Sequence, residues 1–209
     1  MSAPARRGWF VFASVLGIVV AAGLVTASFR GGGSATPPST TTTPAPSTTA
    51  ATTTTLEPLP VPEDSPADPY ANVPVVQIGS IEIPRIGLDH PVYEGITLTV
   101  IDHGPGHWPG SALPCHRGNA VFPGHRVTHS HPFLNIDQLE PGDEIIFHMP
   151  EADCVYRVTE TLIVVPTDMW VVDQTETPTA TIIACHPKHS AAQRIVVKSE
   201  FVQEVPKPA

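Results

Sequence analysis

Residues 179–201, TATIIACHPKHSAAQRIVVKSEF, give the strongest indication of how this chain folds. It contains two runs rich in apolar and β-branched residues, 179–184 and 194–201, separated by a polar segment with a proline. Such runs predict two strands, and the residues between them predict a turn. Cys185 stands where the first strand ends, and Arg194 stands where the second begins. If these strands are neighbours in a sheet, the thiol and the guanidinium lie close together.

Short strands separated by glycine and proline make up the rest of the domain, which we place at residues 74–205. Helical periodicity is almost absent, apart from a single turn predicted at 132–139. Many short strands with turn signals predict an all-β domain and favour a closed or nearly closed antiparallel barrel, although periodicity alone does not separate a barrel from a sandwich. The further predicted strands are 76–83, 119–122, 144–148 and 154–165.

The N-terminal part of the chain predicts a membrane anchor. Residues 8–29 are 22 mostly apolar residues without a charge. As a helix they would measure about 33 Å, which is enough to cross a bilayer core. Arginines flank the segment on both sides, so their charge alone does not orient it. We predict that residues 1–7 are cytoplasmic and that everything after residue 30 is extracellular; a signal peptide cleaved near Ala27 is the alternative.

Residues 30–73 have a different composition, rich in Thr, Pro, Ser and Ala, with little that could be buried. Such a composition cannot offset the entropy lost in folding, and it therefore predicts a disordered linker. A linker of this kind would act as an extended tether that holds the following domain away from the membrane.

The charge of the chain excludes one class of partner. From residue 75 onward the sequence has 16 acidic and 8 basic residues, and the whole chain has a formal net charge of −9. A surplus of negative charge argues against binding to nucleic acid or to anionic lipid. We therefore expect no nucleic-acid partner.

Three cysteines, Cys115, Cys154 and Cys185, give the domain an odd number of thiols. Outside the cytoplasm, an odd count predicts one disulfide and one free thiol. If Cys185 is free for chemistry, Cys115 and Cys154 remain to pair, and their bond would stabilise the fold by roughly 4 kcal/mol. The alternative is that all three are reduced and that two of them pack as small apolar residues.

A thiol, an imidazole and a guanidinium each stand at the end of a predicted strand. The imidazole belongs to His125, which follows the strand 119–122, while Cys185 and Arg194 supply the other two groups. A cysteine acyl-transfer site needs a thiolate that attacks, an imidazole that moves protons and a guanidinium that stabilises an oxyanion. Taken one by one, the same residues also fit a buried strand cysteine, a turn histidine and an arginine that reaches to solvent.

The chain has ten histidines, and three of them, His125, His129 and His131, invite comparison with a metal site. Their spacing does not match the regular ligand spacing of a zinc centre. We therefore predict no metal and no cofactor, and we expect some of these histidines to line a polar cleft.

Six motifs follow one another along residues 77–201. In chain order they are Ile81-Glu82-Ile83-Pro84-Arg85-Ile86-Gly87, His103-Gly104-Pro105-Gly106-His107-Trp108-Pro109-Gly110, Gly118-Asn119-Ala120-Val121-Phe122-Pro123-Gly124-His125-Arg126, Leu139-Glu140-Pro141-Gly142-Asp143, Thr181-Ile182-Ile183-Ala184-Cys185-His186-Pro187 and Arg194-Ile195-Val196-Val197. Together they resemble the sortases, the membrane-anchored cysteine transpeptidases of Gram-positive bacteria. The second motif and the residues that follow Cys185 are most similar to the actinobacterial class E type. The chain departs from the family pattern at Ala184, where Thr is usual.

The resemblance implies an eight-stranded sortase β-barrel with short helical turns, in which His125, Cys185 and Arg194 are the catalytic residues. Cys185 would attack the Thr–Gly bond of a Leu-Pro-x-Thr-Gly or Leu-Ala-x-Thr-Gly sorting signal at the C-terminus of a surface protein. His125 would protonate the leaving amine, and Arg194 would hold the substrate backbone and the oxyanion. An amine of a peptidoglycan precursor or a pilin lysine would then accept the acyl group, outside the cell, at the plasma membrane.

Two other interpretations remain open from the sequence. An L,D-transpeptidase of peptidoglycan also places a histidine before a cysteine, but its arginine usually follows two residues after the cysteine, whereas Arg194 follows Cys185 by nine. The non-enzymatic interpretation is a tethered β-barrel binding module in which Cys185 is structural. Reactivity of the thiol under native conditions separates these interpretations, because a structural strand cysteine is inert.

Overall fold

A computed structural model describes residues 57–208 of the chain. The predictions for residues 1–7, 8–29 and 30–56 lie outside the described residues. Among the described residues, no helix reaches the length and apolarity that a membrane crossing needs. The strands are β1 (Gln77–Ile83), β2 (Leu88–Glu94), β3 (Gly106–His107), β4 (Asn119–Pro123), β5 (Glu144–His148), β6 (Ala152–Val164), β7 (Thr179–His186) and β8 (Gln193–Pro206). The helical turns are α1 (Leu98–Ile101) and the 3-10 turns Pro84–Ile86, Ile136–Gln138 and Met169–Val172.

The eight strands form one sheet in the order β3-β2-β1-β5-β6-β8-β7-β4. Most neighbours are antiparallel, but β2 with β3 and β4 with β7 are parallel. The two edge strands meet, because the backbone N–H just after β3, at Trp108, donates to the carbonyl of Val121 in β4 at 2.8 Å. This contact closes the sheet, and the predicted all-β class and eight-stranded barrel are confirmed.

The barrel interior is the main hydrophobic core of the described chain. The ring of Phe122 stacks on that of Phe147 with centroids 4.6 Å apart, and Tyr156 meets Phe147 edge-on at 5.6 Å. All three side chains are buried. Full burial of a large apolar side chain stabilises a fold by about 1.5–3 kcal/mol, so these rings from three strands lock the barrel walls together.

A second, smaller apolar cluster lies on the outer face of the sheet. Side chains alternate between the two faces of a strand, so along β7 Ile182 and Ala184 point into the barrel while Ile183 points outward. Ile183 packs with Val121, Val196 and Trp108 under the connection between β6 and β7. This outer cluster forms an apolar surface at one end of the barrel, here called the hydrophobic shelf.

The loop between β3 and β4 is tied to β6 at two points. Cys115 is joined to Cys154 with their Cα atoms 5.4 Å apart. The backbone N–H of Cys115 also donates to the hydroxyl of Tyr156 at 2.9 Å. Burial raises the pKa of Tyr156 to about 12, above the ordinary tyrosine value of 10.0.

The last part of the predicted linker 30–73 is held against the barrel, which differs from the tether expected there. The indole N–H of Trp108 donates to the carbonyl of Glu63, and the N–H of Glu63 donates to Pro109, both at 2.8 Å. Further along, the N–H of Leu98 donates to the carbonyl of Pro69. The prolines that make this composition look disordered also favour an extended chain, and an extended chain can pair with an exposed backbone.

A charged cluster lies where β5 ends and β6 begins. His148 contacts Asp153 at 2.8 Å and Glu82 at 3.1 Å, and Lys207 contacts Asp153 at 3.1 Å. Burial alone would lower the pKa of His148, but hydrogen bonds and attraction to the two carboxylates outweigh it and raise that pKa above its ordinary value. The hydrogen bond from His148 lowers the pKa of Asp153.

Candidate active site

Cys185 and Arg194 are brought together by the register of β7 and β8. They are direct cross-strand partners in this antiparallel pair. Partners of this kind have Cβ atoms about 4.5–5.5 Å apart and lie on the same face of the sheet. Cys185 is a partly exposed free thiol. Because Cys185 alternates with Ala184, it lies on the outer face, next to the hydrophobic shelf.

His125 reaches the same place from β4, which runs parallel to β7. The last register pair is Pro123 with Ile183, so His125 and Cys185 both follow that pair by two residues. The N–H of Gly124 donates to the carbonyl of Ile183 at 2.9 Å, which fixes the chain just before the histidine. A Cβ at Gly124 would lie only 2.7 Å from the ring of Phe133, so this close approach requires glycine.

The three residues predicted from the sequence line one cavity of about 350 Å³. Its other walls are mostly apolar and come from the outer cluster, from α1 and from the 3-10 turn after β6. Further lining residues come from the stretch 57–73 before β1, here called the N-terminal segment: Ser65, Pro66 and Pro69. The apolar lining residues include Ile96, Leu98, Ile101, Trp108, Met169 and Ile183. The cavity therefore combines an apolar wall with a thiol, an imidazole and a guanidinium.

The guanidinium of Arg194 is oriented by the backbone of its own loop. Its Nη1 donates to the carbonyl of Ala191 at 2.9 Å and to that of Gln193 at 3.0 Å. Within residues 57–208, Nε and Nη2 have no hydrogen-bond acceptor. A group bound in the cavity can therefore take up these donors, and an oxyanion or a peptide carbonyl is the kind of acceptor they favour.

Asp102, directly after α1, was not identified from the sequence. Its Oδ1 accepts a hydrogen bond from Nε2 of His125 at 2.7 Å and lies 3.3 Å from Nδ1 of His129. The two imidazole rings stack with centroids 4.8 Å apart. Asp102 precedes His125 by 23 residues in a different element, and no short motif links them, so the sequence carried no signal for this contact.

Arg126 is a second residue that the sequence analysis did not assign to the site. Its side chain is almost fully buried, with 2% exposed, and it pairs with Asp137 at 2.9 Å. Its Nη1 also lies 3.1 Å from Nδ1 of His186 and 3.5 Å from the carbonyl of Cys185. A buried cation must be paired, and here its partners tie the end of β4 to the end of β7.

Asp102, His125 and His129 are also the described residues whose ligand atoms could surround a metal ion, since those atoms lie within 4.8 Å of one another. His131, which the sequence grouped with these histidines, is not part of this cluster. Two ligands of a tetrahedral zinc ion stand about 3.3 Å apart for bonds of about 2.0 Å. The separation of 2.7 Å between Asp102 and His125 is shorter and fits a charge-assisted hydrogen bond.

The described residues thus form an eight-stranded β-barrel in which a free cysteine shares one cavity with a histidine and an arginine. A family model described as the sortase domain matches residues 81–202. This match covers more than half of the chain, so the chain belongs to the sortase family.

Individual relatives agree with the family assignment. The chain is 31% identical to sortase SrtE1 of Streptomyces coelicolor over 143 residues. This aligned stretch covers 61% of this chain and 41% of that protein. It is 30% identical to sortase D of Bacillus subtilis over 110 residues, and this aligned stretch covers 52% of this chain and 54% of that protein. The chain thus spans about half the length of these curated relatives. A crystal structure of sortase E1 from Streptomyces coelicolor with a tripeptide in the active site has a TM-score of 0.60, at 28% identity, over 64% of this chain and 94% of the other.

Proposed function

We propose that this protein is a cysteine transpeptidase that cleaves a peptide sorting signal and transfers the acyl group to an amine. The observation that carries the proposal is the convergence of Cys185, His125 and Arg194 on one cavity of a sortase-family barrel. All three stand at the ends of strands, where a backbone held by sheet hydrogen bonds positions each group. Positioned groups of this kind lower the barrier of an acyl transfer without reorganising during the reaction.

In the first half of the reaction, the thiolate of Cys185 attacks the carbonyl carbon of the scissile peptide bond. The carbonyl oxygen becomes an oxyanion, and Arg194 offers it the Nε and Nη2 donors that have no acceptor among the described residues. The imidazolium of His125 gives its proton to the leaving amine as the C–N bond breaks. A thioester between the substrate and Cys185 remains.

In the second half, an incoming amine attacks the thioester carbon. His125 takes the proton that the amine loses, the new amide bond forms, and the sulfur of Cys185 leaves as thiolate. The apolar cavity wall disfavours water beside the thioester in the meantime, which favours transfer to the amine over hydrolysis. The enzyme returns to its starting state without a cofactor.

The finer assignments belong to the same proposal. The substrate is a Leu-Pro-x-Thr-Gly or Leu-Ala-x-Thr-Gly signal of a surface protein, because an apolar cavity of about 350 Å³ has room for small apolar side chains next to Cys185. The acceptor is an amine of a peptidoglycan precursor or a pilin lysine. The anchor at residues 8–29 places the enzyme in the plasma membrane as a single-pass protein, with the barrel outside.

The test incubates the purified chain with fluorogenic peptides that carry each of the two signals, with and without triglycine as the amine acceptor. We expect cleavage between Thr and Gly and a product that contains the acceptor. Cys185→Ala and His125→Ala abolish both, whereas His116→Ala, which changes an exposed histidine outside the cavity, leaves them intact. If neither peptide is cleaved and Cys185 does not react with a thiol probe, the protein is a binding module and the proposal fails.

A further inference from the structure

The carboxylate of Asp102 contacts one of the two ring nitrogens of His125, Nε2. Oδ1 of Asp102 and Nε2 of His125 are 2.7 Å apart, and their side chains are 33% and 16% exposed. We propose that Asp102 is a positioning residue that fixes the orientation of His125 and stabilises the imidazolium formed when Cys185 loses its proton. The proposal rests on the function proposed above for Cys185 and His125.

The hydrogen bond decides which nitrogen of His125 exchanges the proton. When Nε2–H donates to Asp102, the ring is held in one orientation and Nδ1 keeps its lone pair. The proton then moves from the sulfur of Cys185 to Nδ1, and later from Nδ1 to the leaving amine, so it is conserved through the step. A ring that was free to rotate would spend part of its time with the wrong nitrogen facing the thiol.

The charge of Asp102 acts on the same step. Transfer of the proton creates a positive imidazolium beside a negative thiolate, and a carboxylate in contact with the imidazolium lowers the energy of that state. Because the pair is only partly exposed, solvent screens this attraction less than it would at an open surface. The effect therefore falls on the charged intermediate states rather than on substrate binding.

Other charged groups face His125, and they set the conditions of the test. His129 stacks on its ring and shares the same oxygen of Asp102. Arg194 and Asp168 line the same cavity, from β8 and from the connection after β6. Asp102 is the carboxylate in contact with His125, so removal of its charge changes the partner of that imidazole and also that of His129, while Arg194 and Asp168 keep their charges.

The test compares Asp102→Asn, which keeps the size of the side chain, with Asp102→Glu, which keeps its charge. Asp89→Asn is the matched control, because it removes an exposed carboxylate of β2 away from the cavity. For Asp102→Asn we expect kcat to fall by about ten- to hundredfold, the range for loss of a charged hydrogen bond, with little change in KM. Asp102→Glu recovers part of kcat, and Asp89→Asn matches the wild type.

The rate at which iodoacetamide alkylates Cys185, measured against pH, separates positioning from a structural role. Without the carboxylate the thiolate–imidazolium pair is less stable, so the profile of Asp102→Asn shifts to higher pH while its melting temperature stays unchanged. A wild-type kcat in Asp102→Asn, or a lower kcat with an unchanged alkylation profile, would overturn the proposal. If the wild type cleaves neither peptide while Cys185 still reacts with iodoacetamide, the two assigned sorting signals are wrong, and the alkylation profiles still decide the role of Asp102.

Discussion

The close approach of β4 to the loop after it predicts that Gly124→Ala destabilises the barrel. An added Cβ would lie 2.7 and 2.9 Å from two ring carbons of Phe133, whereas non-bonded carbons prefer about 3.5–4.0 Å. Phe133 is fully buried, so its ring has no solvent to move into. The overlap of about 1 Å is typical of an overpacked core, which costs about 1–3 kcal/mol. The φ of Gly124 is not positive, so the cost comes from the contact and not from backbone strain.

The assay is thermal and urea denaturation of the wild type, Gly124→Ala, Phe133→Leu and the double variant. For a domain of this size, 1 kcal/mol corresponds to a shift of about 2–4 °C in melting temperature. Phe133→Leu alone leaves a cavity and is destabilising, but in the double variant the new methyl group occupies part of that space. We therefore expect the double variant to be more stable than the sum of the single effects predicts, by about 1 kcal/mol or more.

Gly124→Ala also tests the link between this packing and the site. His125 follows directly, so a backbone shift at residue 124 displaces the imidazole relative to Cys185, and a misplacement of about 1 Å costs roughly a hundredfold in rate. Phe133→Leu in the same background should restore part of the cleavage rate. Wild-type stability of Gly124→Ala, or strictly additive single effects, would refute the claim that the contact with Phe133 requires glycine here.

Three further predictions follow from the fold. Folding raises the pKa of His148, so its stabilising contribution is present below about pH 6.5 and is lost as the pH rises through the folded pKa. We therefore expect the melting-temperature advantage of the wild type over His148→Gln to shrink between about pH 6 and pH 8. An advantage that grows with pH would contradict this. The disulfide between Cys115 and Cys154 predicts that a thiol reagent under denaturing conditions finds one thiol before reduction and three after it, and that reduction costs about 4 kcal/mol. Three thiols before reduction would exclude the bond. Trp108→Phe removes the indole hydrogen bond to Glu63, so we expect the free energy of unfolding to fall by about 0.5–1.5 kcal/mol and KM for the peptide to rise. An unchanged KM would show that the segment around Glu63 does not shape the cavity.

The strands that could be predicted from the sequence are the ones with a clear apolar pattern. The predicted runs 119–122, 144–148 and 179–184 match β4, β5 and β7 to within a few residues. The strand β2, with the sequence LDHPVYE, was missed because its two charged residues, its histidine and its proline obscure the alternation. β3 has only two residues and is defined by its partners, so no local pattern could reveal it.

The contacts that surround the site could not be predicted, because they join distant parts of the chain. Asp102 and Arg126 act through partners 23 and 59 residues away, and neither pair has a characteristic spacing. The N-terminal segment was taken for linker throughout because its composition lacks apolar side chains to bury. Its backbone hydrogen bonds to Trp108 and Pro109 depend instead on an edge that exists only in the folded barrel.

The topology explains why the spacing between Cys185 and Arg194 indicated a site, whereas the spacing between His125 and Cys185 did not. Cys185 and Arg194 flank a turn between adjacent antiparallel strands, so a change in that loop alters the register that makes them partners. His125 is set by the parallel pairing of β4 with β7, and parallel neighbours need a long crossover, which here contains β5 and β6. The 59 residues between His125 and Cys185 include this crossover, so the separation of the two groups along the chain is not itself a signal of the site. Three functional groups meet at one end of the barrel because β4 and β7 end there and β8 begins there, and this common end is the feature of the fold that makes the proposed chemistry available.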